Sequence, residues 1–177
     1  RPAGGGDLLQ PRAEGLYCPA GDFYIDPRRP VARAVVSHAH ADHARPGSRS
    51  YLAAAPGAGI LRRRLGEKIR LQTLAYGERL TLGGVSLSLH PAGHILGSAQ
   101  VRLELEGEIW VVTGDFKTEA DPTCAPFEPV RCHTLVTECT FGLPVFRWPP
   151  PAQVMAEIRQ WWRENRAAGK TSVLFAY

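Results

Sequence analysis

The stretch that decides the fold is Val31-Ala32-Arg33-Ala34-Val35-Val36-Ser37-His38-Ala39-His40-Ala41-Asp42-His43. Its first half is an apolar, β-branched run of the kind that forms a buried strand. Its second half places three histidines and a carboxylate within six residues, spaced by alanines too small to block access. In a loop leaving a strand, alternation points His38 and His40 to one side, while Asp42 and His43 can turn to a neighbouring position. Imidazole plus carboxylate without thiolate suits zinc, manganese or iron at a hydrolytic site rather than a structural zinc.

Working outward, the chain reads as short strands joined by tight turns. Gly and Pro account for 18 and 15 of the 177 residues. Phe23–Ile25 predicts a strand ending at Asp26, and Ile69–Leu74 predicts another. Arg79–Leu82 and Val85–His90 are joined by the hairpin signal Gly83-Gly84. Gln100–Leu105 alternates as a half-exposed strand, Ile109–Thr113 reads as a buried one ending in Gly114-Asp115, and Thr134–Thr137 is a further short one. Residues 57–65 predict a short helix carrying Arg62, Arg63 and Arg64. Residues 1–15 read as a flexible lead-in. After residue 143 the character changes. Three prolines precede Val154, Ile158, Trp161 and Trp162, an amphipathic helix opened by proline, and Ser172–Tyr177 predicts a buried strand. That helix and strand read as the opening of a second α/β unit, so the chain is expected to be a fragment.

Two further features belong with the histidine cluster. In Pro91-Ala92-Gly93-His94-Ile95-Leu96-Gly97-Ser98, a histidine between glycines can approach another loop as a third nitrogen ligand. Thr113-Gly114-Asp115-Phe116 ends a buried strand in a carboxylate that could bridge two ions. A two-metal site needs about 6–8 protein ligands around ions about 3.5–4 Å apart. His38, His40 and His94 on one ion, Asp42 and His43 on the other, and Asp115 between them leave the second ion one ligand short. His133 precedes its strand and is a poor substitute.

The ordered set H-x-H-x-D-H, G-H-x-L-G and G-D-F resembles the metallo-β-lactamase superfamily. That resemblance implies an α/β fold, an αββα sandwich with a dinuclear site at one edge, here its N-terminal part. Asp26 resembles the family's first-motif aspartate, which orients the ligand loop. The forms A-G-H-I-L-G-S and T-G-D-F resemble the β-CASP nuclease branch, and Thr137-Glu138-Cys139-Thr140-Phe141-Gly142 resembles its acidic motif. Asp26, Asp42 and Glu138 are thereby assigned to the catalytic work. The implied layout is residues 16–143 as an incomplete metallo-β-lactamase domain and 144–177 as the start of a β-CASP-like α/β domain.

More narrowly, GLYCPAGDFYIDP with SHAHADHARPG is similar to bacterial ligase-associated or mRNA 3′-end-processing-like exonucleases. The resemblance implies two divalent ions, zinc first and manganese as the alternative. It implies a nucleic-acid substrate, DNA favoured over RNA, cut exonucleolytically by a metal-activated hydroxide, and an association with DNA ligase and helicase. The competing readings are an RNA-processing nuclease, a small-molecule metallohydrolase of the thioester or lactam type, and a non-catalytic scaffold. The family's last metal-ligand and leaving-group histidines fall beyond residue 177, so the fragment alone is expected to be weakly active or inactive.

Composition sets the bounds. Hydrophobic residues at 44% and charged residues at 21% are ordinary for a globular chain. No apolar run approaches a membrane span, which excludes an integral membrane protein. Four cysteines without C-x-x-C pairing and no signal peptide make the cytoplasm the default. The net charge of +4 conceals ten basic and two acidic residues within 28–70. Arg45, Arg62, Arg63 and Arg64 are the candidate phosphate contacts there.

Overall fold

The computed structural model describes residues 7–175. It is a mixed α/β chain with two sheets and two α-helices. The compact units are Arg1–Glu138 and Cys139–Tyr177, so the contacts divide five residues before the boundary expected at 143.

In the first unit, one sheet runs in chain order: β1 (Gln10–Arg12), β2 (Gly15–Cys18), β3 (Phe23–Ile25), β4 (Arg33–Val35), β5 (Ser50–Ala54) and β6 (Leu71–Leu74). β1, β2 and β3 pair antiparallel, while β3, β4, β5 and β6 are parallel. Helix α1 (Ala58–Leu65) follows β5. The second sheet contains β7 (Arg79–Leu82), β8 (Val85–Pro91), β9 (Ala99–Leu105), β10 (Glu108–Val112) and β11 (Thr134–Val136), in the order β11-β10-β9-β8-β7. β11 is parallel to β10 and the other pairs are antiparallel.

Alternation along the strands builds the layers. Phe23, Ile25, Val35 and Leu52 of the first sheet share one buried cluster with Leu87, Leu89, Val101 and Leu103 of the second. The sheets therefore pack face to face. Ala34, Val36, Tyr51 and Ala53 point the other way and bury Leu61 of α1. Both faces of the first sheet are thus apolar, which is why Val31–Ser37 reads as a continuous hydrophobic run. On the second sheet the outward residues His90 and Gln100 meet loop 117–131: Glu128 Oε1 lies 2.9 Å from His90 Nδ1, and Gln100 Nε2 donates to the Glu128 carbonyl.

Three expectations are corrected. Residues 7–15 are not a lead-in: β1 pairs with β2, and Leu8 and Leu9 enter the core at 6% and 3% exposure. β5, four of whose five residues are buried, has no counterpart in the sequence reading, because its two alanines and flanking Ala-Pro-Gly hide a strand whose signal is burial rather than residue type. The strand expected over Ser172–Tyr177 is not formed over 172–175. Val173, Leu174 and Phe175 are exposed, since the second unit holds no strand among its described residues to pair with them. Ala176 and Tyr177 lie outside the described residues.

The second unit's element is α2 (Pro151–Ala167), with proline at its first position. It ends in a Schellman closure. Lys170 N donates to Asn165 O, Gly169 N donates to Arg166 O, and Gly169 takes φ +67°. No helix of the described chain is long and apolar enough to cross a membrane.

Candidate metal centre

The parallel strands put the chemistry at one edge. Asp26 follows β3, Ser37-His38-Ala39-His40 follow β4, Asp115 follows β10, Glu138 follows β11, and His94 lies in the β8–β9 connection. Apart from the His94 turn, which follows the antiparallel strand β8, these are the C-terminal ends of parallel-paired strands, so residues far apart in sequence meet there.

The connection through Gly114 shows why the local sequence is what it is. Gly114 has φ +56°, and a Cβ on it would stand 2.7 Å from both Cβ and Oγ of Ser37. Only glycine lets the end of β10 approach β4 this closely. Gly97 does the same for the His94 loop, where a Cβ would fall 2.2 Å from Gly57 Cα.

Four side chains converge. One donor atom from each of His38, His40, His94 and Asp115 lies within 4.8 Å of the others. His40 Nδ1 is 3.0 Å from His38 Nε2 and 3.2 Å from His94 Nε2. Asp115 Oδ2 is 3.7 Å from Nε2 of both His38 and His94. Ligands about 2.0–2.1 Å from a tetrahedral zinc stand about 3.3 Å apart, so the separations fit one small cation. The other oxygen, Asp115 Oδ1, is 3.2 Å from His43 Nε2, which in turn is 3.4 Å from Asp42 Oδ2. Asp115 thus presents one oxygen to a three-histidine group and one to the His43–Asp42 pair.

Hydrogen bonds beneath the cluster set the tautomers. Asp26 Oδ1 accepts from Ser37 N at 2.7 Å, and Asp26 Oδ2 accepts from Ser37 Oγ at 2.6 Å. With its single proton donated there, the Ser37 hydroxyl accepts from His38 Nδ1 at 3.1 Å. His38 Nε2 therefore carries a lone pair toward the cluster. His43 Nδ1 donates to Asp26 Oδ2 at 2.8 Å, leaving Nε2 to face Asp42 and Asp115. Asp26 itself sits at φ +43°, a left-handed conformation that aspartate tolerates better than most residues.

The electrostatics favour the neutral, lone-pair-bearing form at His38 and His94 and the charged form at His43. Burial, reinforced by His43, His40 and His94, pushes His38 down to about 2. Burial also lowers His94, with His40 and His43 adding to it against Asp115 and Glu138. Burial opposes charge on His43, yet the Asp26 hydrogen bond and the surrounding Asp26, Asp115 and Asp42 carboxylates raise it. Burial raises Asp115, helped by Glu138 and Asp42 against His43 and His94. Neutral imidazoles at His38 and His94 beside a carboxylate in a partly buried site are donors that a divalent cation requires.

Every expected metal-site residue reaches this edge. Glu138 Oε1 accepts from Phe116 N at 3.1 Å, beside Asp115. His133 does not join: its Nδ1 accepts from Ile109 N at the far end of β10. Two participants were missed. Ser37 links Asp26, His38 and His43, and its only sequence signal is its place between the strand and the first histidine. Tyr51, on the unrecognised β5, pins the end of the histidine loop, its hydroxyl donating to Arg45 O and accepting from Ser48 N.

The basic segment does not gather around the cluster. Arg45 does lie in the histidine loop, with Nε 3.4 Å from the Asp42 carbonyl. Arg62, Arg63 and Arg64 form the last turn of α1, and Arg62 donates to Glu67 O. Arg33, Arg49 and Arg70 stand at the starts of β4, β5 and β6, the edge opposite the histidines. Parallel pairing separates what the sequence placed together.

No family model matches the chain. Over 169 residues, 93% of its length, the chain is 38% identical to a probable DNA ligase of Opitutus terrae, covering 16% of that protein. It is 31% identical over 75 residues to endoribonuclease YSH1 of Saccharomyces cerevisiae, covering 41% of this chain and 10% of that one. It is 32% identical over 75 residues to the cleavage and polyadenylation specificity factor 73 of Drosophila melanogaster, covering 41% and 11%. The chain spans only between 10% and 16% of the length of these curated relatives. With the histidine motifs, these relatives point to the metallo-β-lactamase/β-CASP nuclease family.

Proposed function

We propose that this chain supplies the metal-binding part of a metal-dependent nuclease that hydrolyses phosphodiester bonds, with DNA as the favoured substrate and exonucleolytic cutting as the favoured mode. The observation that carries the reading is the split orientation of Asp115, one oxygen toward His38 and His94 and the other toward His43. His38, His40 and His94 with Asp115 Oδ2 would hold one divalent ion. His43 and Asp42 with Asp115 Oδ1 would hold the second, zinc first with manganese as the alternative.

Bound there, such ions would supply Lewis acidity, lowering the pKa of a water toward neutrality and offsetting charge on the attacked phosphate. The chain's own residues do the rest. Asp26 and Ser37 hold His38 and His43 in the tautomers that aim Nε2 inward. Glu138 fixes the backbone just after Asp115 through Phe116 N. Arg45, exposed beside Asp42, is the basic side chain best placed to meet a phosphate backbone.

The match to a probable DNA ligase over 93% of the chain supports DNA, and an association with ligase and helicase is proposed on the same ground. The shorter matches to endoribonucleases support RNA as the second reading. The deciding experiment presents single-stranded DNA, duplex DNA and RNA side by side to the nuclease of which this chain would be the metal-binding part, with zinc, manganese or chelator. Metal-dependent DNA cleavage that His40→Ala and Asp42→Ala abolish, with binding retained, is the expected result. Undiminished cleavage in both variants would overturn the assignment.

A further inference from the structure

Helix α2 carries three distinct faces. Val154, Ile158 and Trp161 recur at i, i+4 and i+7 as one apolar stripe. Gln153, Glu157, Gln160 and Glu164 form a second, where Gln153 Nε2 donates to Glu157 and Gln160 Nε2 donates to Glu164, each at 2.9 Å. Arg159, Trp162, Arg163 and Arg166 follow i, i+3, i+4 and i+7 and form the third. They line a shallow groove of about 200 Å³. All four are exposed, Trp162 at 62%.

The arrangement is specific in two ways. The helix's two carboxylates are engaged by glutamines on their own face, so three guanidiniums are grouped without an acid among them. A tryptophan lies between them, 62% exposed, at a position that costs apolar area in water. Three other rings of this unit are partnered instead, Phe141 meeting Phe146 and Trp148 edge-to-face at 5.2 Å each. Guanidiniums spaced along a groove with an open indole between them match a single-stranded nucleic acid, whose phosphates take the charges and whose base takes the ring face.

We infer that the Arg159–Trp162–Arg163–Arg166 stripe of α2 is a contact surface for single-stranded nucleic acid, with Trp162 stacking a base and the arginines holding the flanking phosphates. It rests on the nuclease reading for the choice of occupant, but its test is read by binding in chelator, whereas the nuclease reading is tested by metal-dependent cleavage. The two can therefore fail separately.

The experiment measures binding of a fluorescein-labelled oligothymidylate of about 20 nucleotides, longer than the 4–16 that one module covers, and of a duplex of equal length. Trp162→Ala is expected to weaken single-strand binding about 5- to 100-fold, with duplex binding unchanged and Trp162→Phe restoring most of the loss. Replacing Arg159, Arg163 and Arg166 together with glutamine, which keeps helix propensity, should reduce the salt slope by about 2. Absence of oligonucleotide binding by the parent protein, or equal affinity and slope in all variants, overturns the inference. So does binding to phosphatidylserine vesicles that the glutamine variant loses while its oligonucleotide binding is unchanged.

Discussion

Asp26 Oδ2 accepts a hydrogen bond from His43 Nδ1 at 2.8 Å while the same carboxylate takes both the backbone N–H and the hydroxyl of Ser37. One side chain after β3 thus fixes the tautomer of His43 directly and that of His38 through Ser37. Removing its charge should leave the fold intact but lose the aim of both imidazoles. Asp26→Asn is expected to reduce metal affinity about 10- to 100-fold. Competition titration against a chromophoric chelator measures this, and unchanged affinity would show that Asp26 merely packs.

Gly114, just after β10, leaves no room for a Cβ beside Ser37. Gly114→Ala imposes a left-handed backbone on alanine, costing about 1–2 kcal/mol, and drives its Cβ against Ser37. Adding Ser37→Gly should recover part of the clash but none of the backbone cost. A double-mutant cycle from chemical denaturation tests the coupling; strict additivity would mean the two sites do not touch.

Acid should destabilise the metal-free protein above the range where carboxylates titrate. His38 is held at about 2 in the fold, below its ordinary 6.5, chiefly by burial. The unfolded chain therefore takes up a proton that the native one refuses, and stability present above pH 6.5 is lost as pH falls. His94, also lowered, acts in the same sense; His43, raised, acts in the opposite one. Between pH 6.5 and 5 the single His38 proton can cost up to about 2 kcal/mol. Thermal melts in chelator should show this loss and its reduction in His38→Gln, and a flat profile in the parent would contradict it.

Leu103 is fully buried in the cluster shared by the two sheets. Leu103→Ala is expected to cost about 2–5 kcal/mol. Denaturant unfolding measures it, and a loss below 1 kcal/mol would mean that the sheets close over the cavity.

The candidate site was more legible than the fold around it. His38, His40, Asp42 and His43 stand out because metal chemistry requires particular side-chain types at short spacing. His94 and Asp115 were found through the glycines beside them, whose positive φ and close approaches the structure displays at Gly93, Gly97 and Gly114. Ser37 and Tyr51 were missed because a hydroxyl acquires its role only from what faces it. β5 was missed because alanines carry no strand signal, and Ser172–Phe175 was misread because an apolar run becomes a strand only where an edge is free to pair.

By itself the sequence determined which residues could hold a cation, since imidazoles and carboxylates are identifiable without knowing where they lie. Only the tertiary structure decided which groups meet and which separate. Parallel pairing of β3 with β4 and of β10 with β11 carries Asp26, the histidine loop, Asp115 and Glu138 to one edge. The same pairing sends Arg33, Arg49 and Arg70 to the other. Strand direction, not distance along the chain, sets that outcome, because the two ends of a parallel strand lie at opposite edges of the sheet.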